Sequence, residues 1–97
     1  MELSKKLQDL LNRQVQREYG AAFLYNGMRI YFKDLGIPGA THWMTIQTKE
    51  ELEHAEDFIE FILDVDGDVE LRPLEEEPTG FESLLDVYEK GLEHEKL

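Results

Sequence analysis

The strongest constraint on this chain is a short breaker between two long stretches that read as helix. From Ser4 to Lys33 there is no proline, and Gly20 and Gly27 are the only weak points for a helix. The segment Asp34-Leu35-Gly36-Ile37-Pro38-Gly39 interrupts that pattern, and a second helical stretch runs from about Gly39 to Asp66. Two long helices joined by so short a link fold back as an antiparallel hairpin. Ser4 is suited to cap the first helix, Pro38 to begin the second, and Gly67 to end it in the left-handed conformation. Asp68 to Pro78 is acidic and bounded by prolines, so it reads as a loop. Thr79-Gly80-Phe81-Glu82 has the Thr-x-x-Glu form of a capping box and opens a third, short helix. The expected fold class is therefore all-α, with helices over residues 4–33, 39–66 and 80–96 in one domain spanning 1–97.

The core-facing stripe of each long helix carries polar residues where a core should be apolar. At alternating spacings of four and three, the first helix reads Leu7, Leu11, Gln14, Glu18, Ala21, Tyr25, Met28, Phe32. The second reads Ala40, Met44, Gln47, Glu51, His54, Phe58, Phe61, Val65. Both stripes are apolar at their ends and polar in the middle. Burying an isolated carboxylate costs several kcal/mol, so such a glutamate needs a partner or a cation. Measured from the turn, Glu18 lies about 28 Å along one helix and Glu51 about 20 Å along the other, at the rise of an α-helix. Tilt and side-chain reach bring those depths together. Glu51 and His54 share one helix face at i and i+3, so one ion can meet both while Glu18 approaches from across the seam. Carboxylates with one imidazole and open positions suit iron or manganese better than structural zinc. A Glu from one helix with Glu-x-x-His from another is the half-site of di-iron carboxylate bundles.

Composition narrows the function classes. The formal charge of −12 argues against nucleic acid and against anionic membranes, and no stretch approaches the roughly 20 apolar residues of a membrane span. An acidic excess attracts cations, and it equally serves solubility. There is no cysteine, which excludes disulfides, thiolate metal sites and cysteine nucleophiles. The N-terminus lacks the apolar run of a secretory signal, and the expected compartment is the cytoplasm.

Other polar and aromatic residues carry plainer readings. Tyr25 fits core filling, a hydrogen bond to a metal-bound carboxylate, or a catalytic part in one-electron chemistry near iron. Glu50 fits a solvated face, and Trp43 fits packing. His42 and His94 have no partner at a convincing spacing and are expected to be exposed. Glu95 continues a stripe through Leu84 or Leu85, Tyr88 and Leu92, close to the chain end where fraying is expected. Asp64-Val65-Asp66-Gly67-Asp68 looks like a calcium loop, but its glycine comes fourth instead of sixth, and a helix end explains it better.

A set of ordered runs resembles the N-terminal part of bacterial and archaeal non-haem ferritins. They are Leu10-Leu11-Asn12-Arg13-Gln14, Glu18-Tyr19 through Tyr25, Gly36-Ile37-Pro38-Gly39, His42-Trp43-Met44, Lys49 through Ala55, and Leu92 through Lys96. The resemblance implies a ferroxidase centre in which two Fe(II) ions are oxidised by O2 or H2O2 and ferric iron is stored. It implies Glu18, Glu51 and His54 as ligands of one iron with Glu51 bridging, Glu95 as a ligand of the second, Glu50 at an accessory third site, and Tyr25 beside the centre. Members of that family usually continue through a longer third helix and a fourth helix carrying the remaining ligands. The expectation is a truncated ferritin-like domain that completes a four-helix bundle as a homo-oligomer. Two copies about a two-fold axis would pool four Glu and two His, as in the short subunits of encapsulated ferritins. A compact closed cage is not expected. The competing readings are a rubrerythrin-like peroxidase and a fragment that holds iron without turnover.

Overall fold

A computed structural model of the chain describes residues 3–75 and 80–95. Three helices follow in order, α1 (Lys5–Leu35), α2 (Pro38–Asp64) and α3 (Leu84–Glu95), with no strand among the described residues. The Ser4 hydroxyl accepts the Leu7 N–H at 3.1 Å and caps α1 as expected. At the other end Gly36 takes the left-handed conformation, φ 73°, a region in which glycine has no Cβ to clash. The Ile37 N–H then reaches back to the Phe32 carbonyl at 3.0 Å, closing the helix end before Pro38 starts α2.

The end of α2 differs from expectation in a specific way. The left-handed residue is Asp66, φ 58°, and Gly67 follows it, donating to the Ile62 carbonyl at 2.8 Å. Gly67 is demanded by space instead of by φ: a Cβ there would meet Ile62 Cγ2 at 2.9 Å, Leu3 Cδ2 at 3.0 Å and the Ile62 carbonyl oxygen at 3.1 Å. Ile62 is fully buried and that carbonyl is already bonded, so neither yields easily. Gly67→Ala is expected to cost about 1–3 kcal/mol of stability, measured by chemical denaturation. An unchanged midpoint would contradict the tight contact.

The core forms where α1 meets its neighbours. Ala21, Leu24, Tyr25, Met28 and Phe32 of α1 bury together with Val87 of α3. Ala55 and Ile62 are the buried residues of α2. That line lies one residue beyond the expected His54–Phe61 stripe, and those two residues stand at the edge. The hairpin covers one side of α2 only, and α3 packs on α1. One face of the hairpin therefore stays open.

Residues 68–75 form no regular element, yet they are pinned to α1 through their backbone. Gln8 accepts the Asp68 N–H, Asn12 donates to the Asp68 carbonyl and accepts the Glu70 N–H, and Gln16 donates to the Pro73 carbonyl. Gln8, Asn12 and Gln16 recur every four residues on one face of α1, so an extended chain can be held by successive turns. Arg72 adds an ion pair to Asp9 at 2.7 Å.

The third helix begins later than its sequence suggests. Thr79 lies outside the described residues, and the cap is Ser83, whose hydroxyl accepts the Asp86 N–H at 3.1 Å. The Asp86 carboxylate accepts the Glu82 N–H at 3.0 Å, leaving Glu82 just outside the helix. That backbone bond, with Lys90 beside it, holds the Asp86 carboxyl below its usual range. Phe81 packs its ring against Tyr31, centroids 5.6 Å apart, and anchors α3 near the hairpin turn. From there α3 runs back along α1, with Gly91 against the Met28 methyl.

Candidate metal centre

Glu18 sits near the middle of α1, and Glu51 and His54 face it from one turn of α2. The hairpin fold brings one ligand atom from each of the three to within 4.8 Å of the others, and they form the one such group among the described residues. His54 Nδ1 stands 3.6 Å from Glu18 Oε2 and 3.7 Å from Glu51 Oε2. The glutamate side chains are largely enclosed, 15% and 17% exposed, whereas His54 is 52% exposed. The carboxylates thus sit at the floor of the groove and the imidazole at its rim.

Two carboxylates this close cannot both ionise cheaply. Burial first, then the hydrogen bond and negative charge of Glu18, push the Glu51 carboxyl up to about 7. Burial also pushes Glu18 upward, but hydrogen bonds from Glu51 and Gln14 outweigh it and hold Glu18 below its usual value. The pair therefore shares a proton, carried by Glu51 and offered to Glu18. A cation in the same place would substitute for that proton. Oxygen donors with one imidazole nitrogen fit a divalent ion of intermediate hardness such as Fe(II).

Gln14 was visible on the α1 stripe but not as a site residue. Its amide donates to Glu18 Oε1 at 2.8 Å and fixes the carboxylate from behind. The signal for it was its place one turn before Glu18 on the same face.

The other expected residues fall into two groups. The Tyr25 hydroxyl donates to Glu95, and burial with the negative charges of Glu95, Glu51 and Glu18 keeps the phenol protonated far above neutrality. Tyr25 and Glu95 thus stand beside Glu18, Glu51 and His54 as a second polar pair, outside the triad itself. Glu50 is exposed and not among the converging groups. Trp43 and His42 are exposed, so Trp43 is not a packing residue here. His94 is half-buried instead of exposed, and it has a partner. No helix of the described residues is long and apolar enough to cross a membrane.

Comparison with known proteins is consistent across sequence and structure. The family model described as a ferritin-like domain matches residues 8–97. The bacterial non-heme ferritin of Bacteroides fragilis (strain 638R) is 35% identical over 94 residues, covering 97% of this chain and 59% of that protein. Its counterpart in Campylobacter jejuni is 37% identical, covering 97% of this chain and 56% of that protein. Among solved structures, an Archaeoglobus fulgidus ferritin engineered into a closed form superposes with a TM-score of 0.89 at 38% identity, covering 98% of this chain and 58% of that one. The novel open pore ferritin of the same archaeon gives 0.88 at 38% identity, covering 97% and 57%. The chain spans less than three-fifths of the length of these relatives.

Proposed function

Because this chain belongs to the ferritin family, we propose that it binds iron at Glu18, Glu51 and His54 and acts as a ferroxidase for iron storage. The observation that carries this reading is the convergence of one ligand atom each from Glu18, Glu51 and His54 to within 4.8 Å of one another. In this reading iron is the substrate. Two Fe(II) ions each give up one electron, and O2 takes both electrons with two protons to leave as H2O2; H2O2 in turn can serve as the oxidant and leave as water. Glu51 surrenders its proton as iron arrives and spans the ions. Gln14 holds Glu18 in place. Glu95 serves the second ion, with Tyr25 holding its carboxylate, and exposed Glu50 belongs to an accessory third iron site. The remaining ligands come from a second chain, so that turnover requires a homo-oligomer.

The test is Fe(II) oxidation by the 97-residue chain under air, followed by ferric absorbance in the near ultraviolet, with a parallel arm under H2O2. The wild-type chain is expected to exceed the Glu51→Ala variant by at least about tenfold, since losing even a residue that only supports a ligand costs that much. Equal rates in both would remove the ferroxidase reading. Consumption of H2O2 with little ferric product retained would favour a peroxidase instead.

A further inference from the structure

Each glutamate of the cluster is preceded, one turn earlier on the same helix face, by a glutamine. Gln14 stands before Glu18 on α1, and Gln47 stands before Glu51 on α2. The spacing is the same, but the structure uses only one of the two. The Gln14 amide donates to Glu18 Oε1 at 2.8 Å. The side chains beside Glu51 are Glu18 and His54, and Gln47 lies instead in the wall of the neighbouring cleft with Tyr25, Trp43 and Met44. A pattern that is symmetric in sequence is one-sided in space.

The Gln14 bond divides the two oxygens of Glu18 between two tasks. Oε1 is taken by the amide, while Oε2 faces the cluster, 3.6 Å from His54 Nδ1. Gln14 is half-buried and Glu18 is largely enclosed, so little water competes for the bond. With Glu18 ionised, the bond is charge-assisted. A carboxylate can give a cation one oxygen or both, and the two modes lie close in energy. A donor that holds one oxygen from the helix side tips the balance toward one. Among the described residues no amide tethers Glu51 in this way, so its carboxylate keeps the freedom to be shared.

We infer that Gln14 is a positioning residue that makes Glu18 a single-oxygen ligand, presenting Oε2 alone to a divalent cation and leaving one place on that cation for another ligand. Gln14 itself touches neither the cation nor a reacting group and acts through Glu18. The inference rests on the proposed cation site and adds to it the binding mode of one carboxylate. It also separates the two glutamates by role, Glu18 as a fixed terminal ligand and Glu51 as the mobile one.

The test uses Co(II), whose visible bands are strong at low coordination number and weaken as oxygen ligands are added. Spectra are taken at saturating Co(II) for the wild-type chain and for Gln14→Leu, Gln14→Asn and Gln47→Leu. Gln14→Leu removes the amide at similar size, and Gln14→Asn keeps an amide too short to reach Glu18 Oε1. Both are expected to lose at least about half of the visible intensity per bound ion, as Glu18 closes on it with both oxygens. Gln47→Leu, the same change at the same spacing, is expected to keep the wild-type bands. Affinity should fall about tenfold in the two Gln14 variants, the scale of losing a group that supports a ligand. A merely structural role would lower affinity as well, but it would leave the bands of the bound ion unchanged. Should Gln14→Leu fail to fold, Gln14→Asn carries the test alone. Wild-type bands in Gln14→Asn, or an equal loss in Gln47→Leu, would overturn the inference and leave the cation site standing. A wild-type chain that binds no Co(II) would remove the cation site and the inference together.

Discussion

Asn12→Ala is expected to lower stability by about 2–4 kcal/mol. Asn12 is fully buried in α1, and both ends of its amide are used. Its Nδ2 donates to the Asp68 carbonyl at 2.9 Å, and its Oδ1 accepts the Glu70 N–H at 2.8 Å. Truncation leaves that carbonyl and that N–H without partners and opens a cavity beneath them. Small domains hold only about 5–15 kcal/mol in total, so the change is a large share. Asn12→Asp is the sharper control. A carboxylate can still accept from Glu70 but cannot donate to Asp68, and it buries a charge, so it should be no better than alanine. Urea denaturation followed by helical circular dichroism measures both. An Asn12→Ala loss below about 0.5 kcal/mol would show that residues 68–75 are held by other contacts.

The second large effect is a pH dependence that iron should erase. The folded Glu51 carboxyl is raised from 4.5 to about 7, so the folded chain holds a proton that the unfolded chain has released. Its stabilising contribution is complete below 4.5 and is lost as the pH climbs through about 7. Glu18 works in the opposite sense: its carboxyl is lowered, so its contribution is present above 4.5 and lost in more acid solution. Metal-free protein should therefore lose stability between pH 4.5 and about 7, the window of Glu51. Glu51→Gln, which cannot ionise, should flatten that slope. A divalent ion should displace the proton, releasing close to one per chain at roughly pH 6 and far less at roughly pH 8. Calorimetry in buffers of different ionisation enthalpy reads the proton count. Equal release at both pH values would mean that Glu51 is not the group the metal displaces.

Local chemistry was legible where it acts through near neighbours. Ser4, Gly36 and Pro38 each do what their residue type does at a helix end, so α1 and the start of α2 lie close to their expected limits. Gly67 and Ser83 were harder, because each depends on a distant contact or a competing bond. At Gly67 the decisive neighbours are Ile62 and Leu3, the latter far away in sequence. At the start of α3 the Ser83–Asp86 pair takes the capping role, and Asp86 draws Glu82 out of the helix. The run after α2 reads as a loop because its side chains are acidic and prolines bound it, yet its backbone is what α1 holds.

Glu18, Glu51 and His54 remain the centre of the molecule. Their places on two matched stripes were legible in the sequence, since helical periodicity sets which residues share a face. Their inequality was decided only by the tertiary structure. Packing buries Ala55 and Ile62 and turns His54 to the rim, while Gln14 fixes Glu18 from behind. The same packing sets α3 over one half of the open face and leaves the other half bare. Periodicity gives a residue's angle around its own helix, but burial depends on which neighbouring helix arrives to cover it.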